Sequence, residues 1–359
     1  MPNAMRDIFL IVMQVKMNSD LQSIRTSCDM LLPYAVANKL KHFIYDEDNL
    51  HKTADYVTEV IQSNYPDLNI PYHSRLRHFP DEYKTLDLES QIELVVISVL
   101  LDAGAGSDWR YIDPLTNTIH TKSEGLGLAS YRMYTKYRFP TKEQFVECFQ
   151  LSATNKFVGV KDRYAMLQRL KNSENGKSAL EQITEFFLPN QVESVLSIEA
   201  IFYKLKLSLH DVLPDDVAIY KSYDMFFHKL LQWLCYSLWE VLENFEYKIT
   251  DTDMLTGLPE YRNGGLMVDM GVLIPRDPSM YDLQHEITSE FIVEWRAMTV
   301  VLLDQIALLI RHRLHKTHAE LPLSKILQGG TWSAGRKIAS ELRADAAPPF
   351  KVISNGTVF

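Results

Sequence analysis

Apolar residues along most of this chain recur at steps of three and four, and that spacing commits it to helices before anything else is known. Leu21, Ile24, Cys28, Leu31 and Leu32 follow it, and so do Tyr56, Val57, Val60 and Ile61. Ser90 to Leu101 reads as a strongly apolar helix, and Ile198, Ile201, Phe202, Leu205 and Leu209 mark another. His228 to Leu242 reads as an aromatic helix with Trp233, Tyr236 and Trp239, and residues 286–314 give the longest candidate. Thr141 after Pro140, with Glu143 behind it, has the form of a helix cap. Residues 155–245 read as helical throughout, and strand-like alternation is rare, so a Rossmann sheet is not expected. The fold class is therefore mainly α, a helical bundle. An N-terminal helical segment over 1–65 leads into a helical domain over 66–359, the two forming one continuous unit.

A chain of 359 residues, 46% hydrophobic and 23% charged, buries a core large enough to need neither disulfides nor metal. Its cysteines, Cys28, Cys148 and Cys235, are too few and too scattered for a disulfide framework. A reducing, cytoplasmic location is expected from them. The net charge of −9 argues against a nucleic-acid partner, whose phosphates call for a basic surface. Apolar runs fall short of the roughly 20 residues that cross a bilayer, so no membrane partner is expected. The run Ile8 to Met13 lacks the basic flank and cleavage site of a signal peptide.

Polar residues gather in five places. Pro259-Glu260-Tyr261-Arg262 precedes the pair Gly264-Gly265 and then Asp269 on a short apolar helix. Proline and glycines there suggest an unusual backbone path, and Glu260 or Asp269 would supply a carboxylate able to stabilise a developing cation or activate water. Asp224, His228 and Lys229 line a helix entrance, with Gln232 one turn on. His73, Arg75, Arg77 and His78 lie in a proline-rich stretch, Pro66 to Tyr83, that reads as extended surface and suits an anion. Gly329-Gly330 to Arg336 leads into a helix whose first amides, with Arg336, would hold phosphate. Asp102 to Trp109, with Glu124 nearby in sequence, offers an aromatic for stacking and acids for ribose hydroxyls. Each place also has a plainer reading: a salt-bridged turn, a solvated helix edge, a basic surface strip, a structural turn, or core packing of Trp109. His285-Glu286 lacks the second histidine of a zincin, and His312, His315 and His318 read as a polar helix end. No metal and no cofactor are expected.

Several runs resemble the uracil-catabolism family of the ribosylurea pathway, fourth-gene type. They are PYHSRLRHF (71–79), ISVLLDAGAGSDWRY (97–111), SEGLGLAS (123–130), FHKLLQWLCYSLWEVLE (227–243), LTGLPEYRNGGLMVDMGVL (255–273), SEFIVEWRAMTVVLLD (289–304), GGTWSAGR (329–336) and NGTVF (355–359). The family implies a role in breaking uracil down through a ribosylurea intermediate, with 66–359 as its catalytic domain. The order of pieces is also similar to the queuosine nucleotide N-glycosylase (queuosine salvage) family, whose fold resembles helix-hairpin-helix DNA glycosylases. Lys229-Leu230-Leu231-Gln232 and Pro259-Glu260-Tyr261-Arg262, with Gly271-Val272-Leu273 after them, carry that likeness. Where that family has an Asp, this chain has Glu260, one methylene longer.

Together the two resemblances imply an N-ribosidase-like hydrolase that releases urea from ribosylurea or its 5′-phosphate, a small nucleoside- or nucleotide-derived substrate. Glu260 would stabilise the sugar cation and position water, Lys229 and Asp224 would orient the ribose or the carboxylate, and Asp269 or Asp102 would protonate the leaving urea. Arg75 and Arg336 are the candidates for the phosphate. Arg262, Tyr261, His228, Gln232, Trp109, Glu124 and His73 complete the expected substrate contacts. Another hydrolase or lyase step on an opened pyrimidine nucleotide, or a non-catalytic binding protein of the pathway, are the alternatives.

Overall fold

The computed structural model describes residues 20–102, 105–106, 108–172, 176–188, 194–214 and 216–353. Ile8 to Met13, the closing run 355–359, and Ala103, Gly104 and Ser107 of the glycine loop lie outside the described residues. The chain is mainly helical, as the apolar spacing predicts, and its described strands are short pairs. Its residues separate into two compact units. Of the described residues, one takes those within 20–73, 216–232 and 251–353, and the other takes those within 74–214 and 233–250.

The first unit is organised by the helix Glu290–Leu314. Every residue from Phe291 to Leu303 is buried, so this half of the helix has no polar face and must be covered all round. Helices Asp20–Asp29, Glu47–Asn64 and Tyr261–Asp269 pack against it. Ser289 caps its start by accepting from the Ile292 amide, basic residues fill its last turn, and His315 stops it in the left-handed region at φ 52°. Glu294 lies fully buried in its middle. A buried carboxylate is tolerated only when it is hydrogen-bonded. Glu294 accepts the backbone amides of Lys41, His42 and Phe43 at 3.0, 2.8 and 3.1 Å, and the Tyr220 hydroxyl. That grip fixes the strand Phe43–Tyr45, which pairs antiparallel with Leu273–Pro275.

The second unit is built on Leu88–Leu100, which Asp87 caps through the Ser90 amide at 2.8 Å. Helices Lys122–Tyr137, Val160–Lys171 and Ala179–Phe187 pack on it. Its buried Glu93 accepts from the Tyr134 hydroxyl at 2.8 Å and from the Arg138 fork. Thr141 caps Lys142–Cys148 as expected, in a reciprocal capping box with Gln144.

Three expectations about local structure are corrected. Residues 155–245 are not uniformly helical. Val195–Ser197 is a strand, and Val217–Tyr220 and Tyr223–Phe226 form a hairpin. Its turn places Lys221 and Ser222 at φ 46° and 71°, a conformation usually signalled by Asn-Gly, and no glycine marks it here. The stretch from Pro66 to Tyr83 is not a surface strip, because His73, Ser74, Arg75 and Leu76 are buried. Finally, Gly329-Gly330 does not open a helix. The run Leu323–Lys325 continues through a π-turn, Ile326–Thr331, into the helix Trp332–Leu342. Both glycines are buried there because neighbours come too close for a side chain. A Cβ on Gly329 would meet Ile70 at 2.8 Å, and one on Gly330 would meet Val57 at 2.8 Å.

Candidate active site

In the first unit a set of buried polar side chains, Gln232, Thr256, Glu260 and Asn263, lies around the start of the helix Tyr261–Asp269. Gln232, in the first turn of the helix Lys229–Asn244, fixes the loop that leads to it. Gln232 Oε1 accepts the Thr256 amide at 2.9 Å, and its Nε2 donates to Thr256 Oγ1 and to the Phe227 carbonyl at 3.0 and 3.1 Å. At Gly257 a Cβ would lie 2.4 Å from Leu303, so glycine lets the loop rest on the 290–314 helix.

Glu260 is then the N-cap of Tyr261–Asp269. Its Oε2 accepts the Arg262 amide at 2.8 Å and its Oε1 the Asn263 amide at 2.6 Å. Asn263 completes the loop by donating to the Leu258 carbonyl and accepting from Thr331 Oγ1, at 3.0 and 2.9 Å. Gly264 and Gly265 do not make the unusual backbone path expected of them. They lie inside the helix, and a Cβ on Gly264 would strike Trp295 at 2.8 Å. The Trp295 indole donates to the Gly264 carbonyl at 3.0 Å across that close contact.

Only 7% of Glu260 is exposed. Burial pushes its carboxyl above the ordinary glutamate value, while the two amides, Lys229 and Arg262 pull it back down. The net direction is upward. Where the folded pKa is raised, the folded state holds the proton longer than the unfolded state does, so stability falls as pH rises between the two values. Wild type is therefore expected to lose stability relative to Glu260→Gln as pH rises from the ordinary glutamate value through the raised one. Paired urea-unfolding curves against pH check this, and a difference that stays flat with pH would contradict it.

Lys229 is the first residue of its helix, and its charge acts on Glu260. Its amide donates to Asp216 Oδ2 at 3.2 Å, and Asp216 is held by the Arg296 fork at 2.9 and 2.7 Å. Neither Asp216 nor Arg296 is singled out by spacing, since Asp216 is one of two adjacent acids, Asp215 and Asp216, and Arg296 sits in the apolar run of 290–314. His228 is buried at φ 43°. Arg262 donates to the Ala346 carbonyl at 2.7 Å, and its guanidinium lies 5.0 Å from the centre of the Tyr261 ring.

Other expected residues fall elsewhere. Asp224 is not on a helix entrance; it is exposed on the hairpin strand, opposite Ile219. Asp269 ends the helix that Glu260 begins, about 13 Å away along the axis at roughly 1.5 Å per residue. Both its oxygens are engaged by the Arg343 fork at 2.9 and 2.5 Å, which removes it from the role of acid beside Glu260. His73 is buried against Gln328, with Nδ1 3.0 Å from Oε1. Arg336 is exposed in the second turn of the helix Trp332–Leu342, its guanidinium 5.5 Å from the Trp332 ring centre.

In the second unit, Arg75 is fully buried. Its Nε donates to Ser98 at 2.7 Å and its Nη1 to Asp102 at 2.6 Å, and the Ser123 hydroxyl donates to the other Asp102 oxygen at 2.9 Å. Burial lowers the Arg75 pKa, and the Asp102 charge opposes this. A guanidinium enclosed and neutralised in this way presents no positive surface to a phosphate, so Arg75 and Asp102 are a structural tie. Glu124 is half-buried, and its charge also acts on Arg75. Trp109 is fully buried among Tyr111, Phe149 and Phe157, and its indole donates to the Phe149 carbonyl at 2.9 Å. It is core, not a stacking platform.

Two relatives match nearly the whole chain. "Protein urg3" of Schizosaccharomyces pombe is 32% identical over 390 residues, spanning 94% of this chain and 97% of its own. "Uracil catabolism protein 4" of Lachancea kluyveri is 29% identical over 432 residues, with the same coverage of 94% and 97%. These relatives agree with the family likeness carried by the residue runs quoted above. The model of one family matches residues 17–219 and 209–359, and the chain belongs to that family, described as "Protein of unknown function (DUF1688)".

Proposed function

We propose that this chain acts in uracil catabolism as an N-ribosidase-like hydrolase, cleaving the bond between ribose C1 and a urea nitrogen in ribosylurea or its 5′-phosphate. The name of the Lachancea relative supports the pathway. The reaction rests on one observation above all: a buried carboxylate, Glu260, held in a fixed direction by two backbone amides with Lys229 acting on it. As the C1–N bond breaks, its electrons leave with the urea nitrogen and the ring oxygen shares the positive charge left on C1. Water adds at C1 and loses a proton, and the urea nitrogen gains one. A preorganised carboxylate in a low-dielectric site stabilises that cation far more than one in water does. Lys229 and the amides favour the charged form that this role needs, against the burial that disfavours it.

The proposed arrangement is of the helix-hairpin-helix glycosylase type, at work on a small molecule in the cytoplasm, without a nucleic-acid or membrane partner. Among the described residues no helix is long and apolar enough to cross a membrane. Binding of a five-membered cationic iminosugar, a mimic of the ribosyl cation, tests the site. Calorimetry is expected to show binding to wild type, weakened at least about tenfold by Glu260→Gln. Equal binding to both proteins would remove Glu260 from the sugar.

A further inference from the structure

We infer that Thr331 is a positioning residue for Glu260, acting through Asn263, and that the π-turn Ile326–Thr331 aims it, an inference that rests on the reading of Glu260 given above. Thr331 and Asn263 are both fully buried, so their polar atoms need partners inside the protein. Asn263 grips the chain on both sides of Glu260. Its Nδ2 donates at 3.0 Å to the Leu258 carbonyl, which also accepts the Glu260 amide at 2.9 Å. Its backbone amide donates to Glu260 Oε1 at 2.6 Å. One residue therefore pins the segment ahead of Glu260 and the carboxylate itself. The Leu258 carbonyl takes the amino end of the Asn263 side chain, which leaves Oδ1 to be satisfied. The Thr331 hydroxyl, 68 positions on, donates to it at 2.9 Å. Without that hydroxyl a buried oxygen loses its donor, and the side chain that grips Leu258 is no longer held in one orientation.

A threonine inside a helix commonly turns its hydroxyl back onto its own preceding turn. Thr331 instead reaches across to another helix, and the π-turn sets that direction. The Trp332 amide donates to the Leu327 carbonyl, five residues back rather than four, and the Ser333 hydroxyl takes the Gln328 carbonyl at 2.7 Å. One extra residue in a turn rotates everything beyond it by about 100° relative to a continuous α-helix. The turn is braced from its far side. The His73 amide donates to the Ser324 carbonyl at 3.1 Å, and His73 Nδ1 lies 3.0 Å from Gln328 Oε1. Gly329 and Gly330 let it rest against Ile70 and Val57. A continuous set of hydrogen bonds thus runs from His73 and Gln328, through the π-turn, to Thr331, Asn263 and the Glu260 carboxylate.

The test does not need turnover. Thr331→Val keeps the shape and loses the donor, whereas Thr331→Ser keeps the donor. Hydrogen exchange at single amides, followed by nuclear magnetic resonance, reads the two amides that Glu260 accepts, those of Arg262 and Asn263. Thr331→Val is expected to speed their exchange at least about tenfold relative to amides in the buried half of the 290–314 helix. Thr331→Ser is expected to restore it. In an Asn263→Ala background Thr331→Val is expected to add nothing, because the connection is already cut. Turnover is expected to follow the same order, with kcat down at least about tenfold in Thr331→Val, KM little changed, and recovery in Thr331→Ser. Exchange at Arg262 and Asn263 unmoved by Thr331→Val, a serine variant that fails to restore it, or effects that add to those of Asn263→Ala would overturn the inference and leave the bond as a plain tie between two helices. Urea release by wild type, measured separately, decides the ribosidase reading whatever the exchange rates do.

Discussion

Glu260→Gln is expected to fold like wild type and to lose urea release by about a thousandfold, roughly 4 kcal/mol of transition-state stabilisation. The fold survives because glutamine keeps one side-chain oxygen for the helix cap and no longer buries a charge. The chemistry does not, because an amide offers C1 no negative charge. Glu260→Asp separates the two roles. Aspartate is a good N-cap, so stability is expected to hold, but the carboxylate retreats by one methylene and turnover is expected to fall at least about tenfold. Steady-state kinetics beside thermal unfolding checks both variants. Full activity in Glu260→Gln would show that this carboxylate only caps its helix.

Gly335→Ala is expected to destabilise the chain by at least about 3 kcal/mol, a large cost for one methyl group. A Cβ at this position would stand 2.2 Å from the Arg262 carbonyl oxygen, a backbone atom in the first turn behind Glu260. It has no flexible side chain to swing away, so the helices 261–269 and 332–342 must separate. The same movement would displace the two amides that hold the Glu260 carboxylate, and activity is expected to fall with stability. Urea unfolding measures the first effect and kinetics at low temperature the second. An alanine variant as stable as wild type would mean that the two helices are not held in the close contact described.

Much of the helical framework was legible because apolar spacing of three and four is a local signal. Thr141 as a cap and the buried 88–100 and 290–314 helices needed no knowledge of distant residues. The hairpin 217–226 was not legible, because four alternating residues are outweighed by helical spacing on either side and its turn lacks glycine. Glycines were the least readable. Gly264, Gly265, Gly329 and Gly330 suggested turns, yet each lies inside a helical run where a neighbouring element comes close. Spacing alone cannot distinguish a glycine that bends the chain from one that admits a neighbour.

The candidate site was legible in its sequence-local part. Glu260, Arg262 and Lys229 were named from their runs, and Lys229 does act on Glu260. The long-range partners were not. Asp216 meets Arg296 across 80 positions, and Glu294 reaches the 41–43 backbone across about 250, and neither pair leaves a trace in spacing. Arg75 and Asp102 pair with each other and Asp269 pairs with Arg343, and spacing showed neither pairing, because a charged residue in a polar run carries no mark of its distant partner.

The most direct measurement is urea release by the purified protein from ribosylurea and, separately, from its 5′-phosphate. Urea and the free sugar, or sugar phosphate, in equal amounts from at least one of them is the predicted result. Ammonia in place of urea would place the cleavage in the ureido group. No product from either substrate, with the protein folded, would contradict the account.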